Sequence, residues 1–229
     1  MSKTILIVGS SRGIGKELVL NLSADSNNHV IALSRNIEAM DNSFKKDNID
    51  YYQFDLSSKA FKKDLSLILA NYATIDILIN NAGCLINKPF LELTREDFKQ
   101  SYEVNAISVM QTTQHVVPKM IEKGGHIVNI STMGAFQGSV KFPGLLAYST
   151  SKAAVTSFTE LFSEEYKDSK IAMNCLCLGA AQTEMLEEAF PGYKAPLSAK
   201  EMATYIADFA LNAHNYIKGK IIPVSLSTP

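Results

Sequence analysis

Cysteine is scarce in this chain, which has only Cys84, Cys175 and Cys177 among 229 residues. Three thiols are too few for a disulfide framework or for a four-ligand zinc set, so we expect no metal site and a reducing, cytoplasmic setting. Cys175 and Cys177 fall on one side of a strand-like run, and the favoured interpretation is a pair of buried structural thiols.

An excess of charge of either sign is also lacking, because 22 basic residues nearly balance 23 acidic residues. No basic tract or polybasic patch interrupts the sequence, which argues against a nucleic-acid partner and against binding to a membrane surface. The first residues lack the anatomy of a signal peptide, and no apolar run reaches membrane-spanning length. We therefore expect a protein without a nucleic-acid or membrane partner.

Apolar, strand-like runs alternate with helical patterns along the whole chain. The runs are Thr4–Val8, Val30–Leu33, Tyr51–Phe54, Ile75–Ile79, His126–Ile130, Ile171–Leu176 and Lys220–Val224. Runs this rich in Ile, Val and Leu are typical of parallel strands that are buried on both faces. The sequence therefore predicts an α/β fold, a Rossmann-type doubly wound parallel sheet of about seven strands with helices on both faces. We expect one domain spanning residues 1–229.

A glycine-rich turn follows the first predicted strand, and its residues are Gly9, Ser11, Arg12, Gly13, Ile14 and Gly15. Glycine at such a turn lets the backbone come close to a pyrophosphate, and the helix that follows offers unpaired N–H groups to it. The spacing is Gly-x-x-x-Gly-x-Gly rather than the Gly-x-Gly-x-x-Gly of many dehydrogenases. Glycines often punctuate strand–helix turns, so the position of this one at the first turn carries the interpretation.

The second predicted strand ends in Ser34 and Arg35, where an acidic residue would bind the ribose hydroxyls of NAD. With Arg12 in the glycine turn, two guanidinium groups would lie near the adenosine ribose. This arrangement favours NADP as the cofactor over NAD. The alternative is that both arginines are solvated surface residues.

Asp55 and Leu56 follow the third predicted strand. The carboxylate of Asp55 could accept a hydrogen bond from the adenine amino group of a bound dinucleotide. Alternatively, Asp55 or Ser57 could cap the N-terminus of the next helix, since both residue types are strong caps.

Tyr148 and Lys152 lie four residues apart, and on a helix such positions share one face. A free tyrosine has a pKa near ~10, and an adjacent ammonium favours the phenolate and lowers that pKa. The pair is therefore expected to move a proton. An amphipathic surface helix is the alternative explanation of the spacing.

Taken in order, these motifs resemble the short-chain dehydrogenase/reductase family, and the resemblance covers nearly the whole chain. It rests on the glycine turn, Asn80-Asn81-Ala82-Gly83, Asn105, the Ile-Val-Asn-Ile-Ser-Thr strand end and Tyr148-x-x-x-Lys152. The resemblance implies an NADP-dependent oxidoreductase that transfers a hydride between nicotinamide and a small carbonyl or alcohol substrate. It also implies a homodimer or a homotetramer, with Asn81, Ala82, Gly83, Gly179 and Thr183 contacting the cofactor.

The same resemblance implies the catalytic roles. Tyr148 would donate or accept the proton, while Lys152 would tune Tyr148 and hold the nicotinamide ribose. Asn105 would bend its helix and hold a water that connects Lys152 to solvent. A hydroxyl after the fifth strand would bind the substrate oxygen. Gapless alignment places Thr132 at that position, and a slip of one residue would place Ser131 there.

The chain departs from the family pattern after the sixth strand. Where the family commonly has Asn-Pro-Gly-x-x-x-Thr, this chain keeps Gly179 and Thr183 but lacks the proline. The segment Thr183–Ser198 is expected to form a mobile lid over the substrate pocket. The missing proline and the threonine at position 132 leave open a second hypothesis, a non-catalytic NADP(H)-sensing binding protein of the same fold.

Overall fold

The computed structural model describes residues 2–36 and 44–226 of the chain. The predicted domain, residues 1–229, includes positions outside these ranges. The described strands are β1 Lys3–Val8, β2 Asn28–Ser34, β3 Ile49–Gln53, β4 Ile77–Asn80, β5 Gly125–Thr132, β6 Ile171–Leu178, β7 Ala181–Gln182, β8 Leu197–Ser198 and β9 Ile221–Val224.

Seven of these strands form one parallel sheet in the order β3-β2-β1-β4-β5-β6-β9, and β7 pairs with β8 in a small separate ladder. The predicted doubly wound sheet is therefore confirmed, and its seven strands fall on the seven predicted runs. The fourth strand begins two residues later than predicted. The carboxylate of Asp76 accepts a hydrogen bond from the backbone N–H of Thr4 at 2.8 Å, just before the ladder between β1 and β4 begins.

Helices connect most of the strands. The α-helices are α1 Gly13–Leu22, α2 Phe61–Leu69, α3 Arg95–Tyr102, α4 Ser108–Val116, α5 Leu146–Glu165, α6 Glu184–Ala189 and α7 Ala199–Asn212. A π-helical turn, Glu103–Ile107, joins α3 to α4. Short 3₁₀ segments cover Phe90–Glu92, Val117–Lys119, Met133–Ala135 and Ala213–Asn215.

Both faces of the sheet are buried, as the strand composition predicts. On β1, Ile5 and Ile7 pack with α1 and α7, whereas Leu6 and Val8 face the opposite layer that includes α2 and α5. Side chains of successive strand residues point to opposite faces, so an uninterrupted apolar run fills two cores at once. None of the helices within the described ranges is long and apolar enough to cross a membrane.

The strand order changes direction between β1 and β4. In open α/β sheets, ligands bind outside the carboxyl ends of the strands at such a switch point. The residues that follow β1, β4, β5 and β6 therefore meet at one edge of the sheet, and the predicted site residues come from these segments.

Candidate active site

The glycine turn after β1 is too tight for other residues. Gly9 has φ +86°, and a Cβ there would lie 2.6 Å from the Cα of Ala82. A Cβ on Gly15 would overlap the carbonyl oxygen of Gly9. Gly13, which begins α1, has φ +53°, a conformation that glycine adopts at little cost.

The N-terminus of α1 is suited to an anion. Its N-cap residue, Arg12, makes no side-chain capping hydrogen bond, and the first turn contains no acidic residue. The first N–H groups of α1 therefore have no capping side chain, and the helix dipole places partial positive charge beside them. Ser11 and Ile14 are half-buried in the same turn. This cradle fits the pyrophosphate of a dinucleotide.

The Asn81-Ala82-Gly83 segment after β4 joins the glycine turn to the predicted catalytic residues. The side-chain amide of Asn81 donates to the carbonyl oxygen of Gly9 at 2.7 Å. A Cβ on Gly83 would lie 3.5 Å from both the Nζ of Lys152 and the Oδ1 of Asn105. The segment therefore runs between the candidate phosphate site and the candidate proton-transfer site.

Asn105 lies in the π-helical turn between α3 and α4, where the helix departs from α geometry. Its amide nitrogen donates to the carbonyl of Cys84 and to the hydroxyl of Ser151, both at 2.9 Å. Its Oδ1 accepts from the N–H of Cys84 at 2.8 Å. Both N–H groups of the amide are used by these bonds, and they fix the side chain between the segment after β4 and α5.

Two neighbouring hydroxyls at the end of β5 have different surroundings. Ser131 is buried, and its Oγ donates to the carbonyl oxygen of Lys152 at 3.0 Å. Thr132 is half-buried, its hydroxyl accepts from the N–H of Gly134 at 3.3 Å, and its side chain is near enough to Tyr148 to lower the pKa of the phenol. The structure brings Thr132, not Ser131, to the phenol.

Lys152 is buried on α5 with 2% of its surface exposed. Its ammonium donates to the carbonyl oxygens of Ala82 at 3.3 Å and Ile130 at 2.9 Å. Burial lowers its pKa to about 8, and the thiols of Cys175 and Cys177 oppose this shift. The ammonium is thus held between the ends of β4 and β5. With a pKa of about 8, Lys152 can lose its proton slightly above neutral pH.

In this structure burial has the largest effect on the pKa of Tyr148, and the predicted tuning by Lys152 stays a prediction. Burial raises the pKa of Tyr148 to about 12, and the thiol of Cys84 raises it further. The side chain of Thr132 lowers the pKa but does not offset burial.

The residues expected around the adenosine ribose lie at the ends of β2 and β3. Ser34 is buried, whereas Arg35 is exposed and its carbonyl accepts from the amide of Gln53 at 3.1 Å. The charge of Arg35 lowers the pKa of Cys84, although burial raises that pKa more strongly. The guanidinium of Arg35 is therefore close enough to influence the segment after β4 electrostatically.

Asp55 and Leu56 lie beyond the end of β3. The carboxylate of Asp55 accepts from the N–H of Ser57 at 2.9 Å, and Leu56 is buried in the core. The helix-cap alternative for Asp55 or Ser57 is wrong, because α2 begins at Phe61 with Ala60 at its N-cap. Asp55 instead closes a local turn with its own side chain.

Gly179 and Thr183 follow β6 and lie near the glycine turn. A Cβ on Gly179 would lie 2.5 Å from the hydroxyl of Ser225, so this position has no room for a side chain. The hydroxyl of Thr183 accepts from the N–H of Leu186 at 3.2 Å and caps α6. A Cβ on Gly13 would lie 3.2 Å from the methyl carbon of Thr183.

The predicted lid, Thr183–Ser198, contains α6 and β8. The amide of Asn87 donates to the carbonyl of Ala189 at 3.0 Å and joins the lid to the segment after β4. Arg12, which was expected near the adenosine ribose, instead forms an ion pair with Glu188 of the lid at 2.5 Å.

Sequence reasoning did not identify two residues at this edge of the sheet. Cys84 follows Gly83 directly, and its position in the motif was the available signal. No pattern in the sequence pairs Glu188 with Arg12, because 176 positions separate them.

Across residues 2–36 and 44–226, no group of three or more His, Cys, Asp or Glu side chains could hold a metal ion.

Comparisons with known proteins agree with this geometry. A family model described as short chain dehydrogenase matches residues 3–194. Carbonyl reductase (NADPH) 2 of Sus scrofa is 36% identical over 173 residues, which cover 74% of this chain and 68% of that protein. L-2,3-butanediol dehydrogenase of Corynebacterium glutamicum is 30% identical over 254 residues, and the match covers 98% of this chain and 97% of that protein. The solved structure of ElxO with NADP bound matches with a TM-score of 0.84 at 26% identity, covering 98% of this chain and 97% of that one.

Proposed function

The chain belongs to the short chain dehydrogenase family, and from this premise we propose that it is an NADP-dependent carbonyl reductase or alcohol dehydrogenase. One observation carries the proposal: Tyr148 and the buried Lys152 lie one helical turn apart on α5, beside the end of β5 that carries Thr132, at the sheet edge that also holds the glycine turn. A nicotinamide bound at this edge would supply or take up the hydride. The residues of the chain handle the proton.

In the direction of reduction, the carbonyl oxygen of the substrate needs a proton as its carbon receives the hydride. Tyr148 is the proposed donor, because Thr132 is near enough to lower the pKa of its phenol, and both hydroxyls could face one oxygen atom. Thr132 would orient that oxygen and stabilise the charge that develops on it. In the direction of oxidation, the same two residues would take the proton from an alcohol.

Lys152 is the proposed source of the next proton. Its lowered pKa, about 8, allows it to exchange a proton near neutral pH, whereas Tyr148 alone would exchange one slowly. The carbonyls of Ala82 and Ile130 hold the ammonium at the end of β4, where it could also reach the ribose of the nicotinamide. We propose that Asn105 supports this arrangement through Cys84 and Ser151.

NADP is the proposed cofactor. Ser34 leaves the end of β2 without the carboxylate that would repel a 2′-phosphate, and the exposed guanidinium of Arg35 follows it. The named relatives support this choice, since one is an NADPH carbonyl reductase and one solved structure holds NADP.

A second function is favoured by the electrostatics of Tyr148. Its pKa is raised to about 12, so the phenol could serve binding rather than proton transfer. On this alternative the chain is an NADP(H)-sensing binding protein without turnover. Both functions require the dinucleotide, and only the first requires the proton.

Replacement of Tyr148 separates the two functions. We expect purified protein to oxidise NADPH with at least one ketone or aldehyde of a broad panel, and Tyr148→Phe to lose nearly all turnover while it still binds NADP⁺. Tyr216→Phe is the matched control, because Tyr216 is 86% exposed. Full turnover in Tyr148→Phe would exclude the proton-donor role, and binding without turnover across the panel would favour the second function.

We also propose a cytoplasmic homodimer or homotetramer. Leu161 on α5 and Ile107 beside α4 are apolar and 69% and 40% exposed, which is consistent with a partner surface on these helices. Light scattering on a size-exclusion column measures the subunit number, and a monomer at micromolar concentration would contradict it. Fractionation of cells that express a tagged chain tests the location.

A further inference from the structure

The ion pair between Arg12 and Glu188 joins the glycine turn to the lid. One guanidinium nitrogen lies 2.5 Å from one carboxylate oxygen, and the second nitrogen lies 3.3 Å from the other. Two parallel contacts of this kind fix the planes of both groups. The hydrogen bond with Glu188 raises the pKa of Arg12, and the same contact lowers the pKa of Glu188.

Glu188 lies in an acidic part of the lid. Glu184 and Glu187 are also on α6, and Glu184 adds to the negative potential at Arg12. Glu187 is already used inside the lid, because its carboxylate accepts from the N–H of Gly192 at 2.9 Å. Arg12 therefore offers α6 an opposing charge at the glycine turn.

A guanidinium presents a limited set of N–H groups in fixed directions. The pair of N–H groups that holds the Glu188 carboxylate is also the arrangement that binds a phosphate in a bidentate manner. The same pair cannot bind both groups at once. A phosphate monoester at pH 7 carries more negative charge than a carboxylate. At the N-cap of α1, a phosphate on the adenosine ribose would thus compete with Glu188 for Arg12.

We propose that Glu188 is a specificity-determining residue that holds Arg12 until the 2′-phosphate of NADP takes the guanidinium. The exchange leaves Glu188 without its cation beside two other carboxylates, and the lid, Thr183–Ser198, loosens at α6. The cofactor phosphate thereby both binds the glycine turn and frees the lid. This inference rests on the proposed function, because it requires NADP at the glycine turn.

Binding measurements by titration calorimetry test the competition. In Glu188→Gln, Arg12 loses its charged partner, so we expect NADP⁺ to bind two- to fivefold more tightly, about the range of an exposed ion pair. The affinity for NAD⁺ should not change. In Arg12→Ala, NADP⁺ should bind about tenfold more weakly, and adding Glu188→Gln to Arg12→Ala should have no further effect. Glu96→Gln is the matched control, because Glu96 forms an exposed ion pair with Lys99 on α3.

Hydrogen exchange of residues 184–196 tests the lid without any turnover. Adenosine 2′,5′-bisphosphate should speed exchange of this segment in the unmodified protein, whereas 5′-AMP, which lacks the 2′-phosphate, should not. In Glu188→Gln the segment should exchange faster from the start and show no response to the bisphosphate. A bisphosphate that slows exchange equally in both proteins would contradict the release.

The outcomes distinguish this inference from the proposed function. If NADP⁺ binds and Glu188→Gln leaves its affinity unchanged, lowers it, or shifts NAD⁺ equally, the competition is wrong and the proposed function stands. If no dinucleotide binds to the unmodified protein, both fail. Circular dichroism verifies that each variant is folded, and the exposed position of Glu188 makes an unfolded Glu188→Gln a contradiction as well.

Discussion

Asn105 holds the backbone of Cys84 at both of its polar atoms, accepting from its N–H at 2.8 Å and donating to its carbonyl oxygen at 2.9 Å. The π-helical turn makes this possible, since it places Asn105 between two α-helices where the backbone widens. The same amide also donates to Ser151, the neighbour of Lys152. One buried side chain thus joins the segment after β4 to the helix that carries Tyr148.

Replacement of Asn105 by alanine should destabilise the fold. The change leaves the half-buried N–H and carbonyl oxygen of Cys84 without the Asn105 side chain, and each unsatisfied buried group costs roughly 1–3 kcal/mol. The hydroxyl of Ser151 loses one bond but still donates to the carbonyl of Tyr148 at 2.8 Å. We expect the free energy of unfolding to fall by about 3 kcal/mol, measured by urea denaturation. Asn212→Ala is the control, because its amide only contacts Asp208 on the exposed side of α7 and should cost less than about 0.5 kcal/mol. Equal losses in the two variants would contradict the interpretation.

Replacing the two hydroxyls at the end of β5, those of Thr132 and Ser131, should have different effects on kcat. Thr132→Val removes the hydroxyl proposed to bind the substrate oxygen beside Tyr148, so we expect kcat to fall by about 10²-fold or more, while Thr132→Ser stays near the unmodified rate. Ser131→Ala removes a bond to the carbonyl of Lys152 and should lower stability by about 1 kcal/mol with a smaller loss of kcat.

Steady-state rates with one good carbonyl substrate, together with urea denaturation, check both expectations. The reverse pattern, an inactive Ser131→Ala beside an active Thr132→Val, would return the substrate-binding role to Ser131. Titration of NADP⁺ into each variant controls for damage to the cofactor site.

The fold was predictable from the sequence because its strands are buried on both faces. Runs such as Ile5–Val8 contain only residues that two cores can accept, and their alternation with helical patterns leaves few other topologies. The boundary of β4 was less predictable. Before β4 begins, the side chain of Asp76 accepts a hydrogen bond from the backbone of β1. A hydrophobic pattern in the sequence does not reveal such a contact.

The membership of the site was also predictable, but its electrostatics were not. Tyr148, Thr132 and Lys152 are local in sequence or follow consecutive strands, so motif spacing identifies them. The pKa of Tyr148 depends mainly on how completely the phenol is buried, and the thiol of Cys84, which follows a different strand, contributes as well. The Arg12–Glu188 ion pair is non-local in the same way.

The burial of Lys152 should cost stability that its function requires. Below pH 8 the folded chain carries a buried ammonium, and a pKa lowered from 10.5 to about 8 corresponds to a cost of roughly 3 kcal/mol. Lys152→Met removes the charge and its two hydrogen bonds to carbonyls. We expect the variant to be inactive and about 1–3 kcal/mol more stable than the unmodified protein at pH 7 in urea denaturation.

The sign of the pH dependence checks this explanation. Between pH 8 and 10.5 the unfolded chain binds a proton at Lys152 that the folded chain does not, so the unmodified protein gains stability relative to the variant as the pH rises. The difference should therefore shrink between pH 7 and 9.5. Lys99→Met, at an exposed position, should show no such trend. A Lys152→Met variant that is less stable at pH 7 would mean that the carbonyl contacts outweigh the charge.

His126 should make the fold sensitive to acid. It is fully buried at the start of β5, donates from Nδ1 to the carbonyl of Ala210 at 2.9 Å and accepts from the amide of Asn174 at 3.0 Å, so it is neutral. Burial lowers its pKa to about 4. Between pH 6.5 and 4 the unfolded chain binds a proton that the folded chain does not, and the free energy of unfolding should fall by roughly 3 kcal/mol.

The neighbouring His214 adds to this dependence, because burial lowers its pKa as well. His126→Gln can keep both hydrogen bonds and cannot be protonated, so its unfolding free energy should vary less with pH over this range. Urea denaturation at pH 4.5, 5.5 and 6.5 measures the two slopes. Parallel slopes for the variant and the unmodified protein would show that His126 is not the source of the acid sensitivity.

The choice between NADP and NAD should depend on Arg35. Its exposed guanidinium follows the buried Ser34, and its charge reaches Cys84 near the candidate active site. Arg35→Ala should therefore weaken NADPH binding by about 10-fold or more, because a charge-assisted bond to phosphate is lost, and should leave NADH binding within about twofold. The fluorescence of the reduced nicotinamide gives both dissociation constants, and Arg95→Ala at the start of α3 serves as the matched control. Equal weakening of NADPH and NADH binding would mean that Arg35 contacts the adenosine moiety that both cofactors share and not the 2′-phosphate of NADPH.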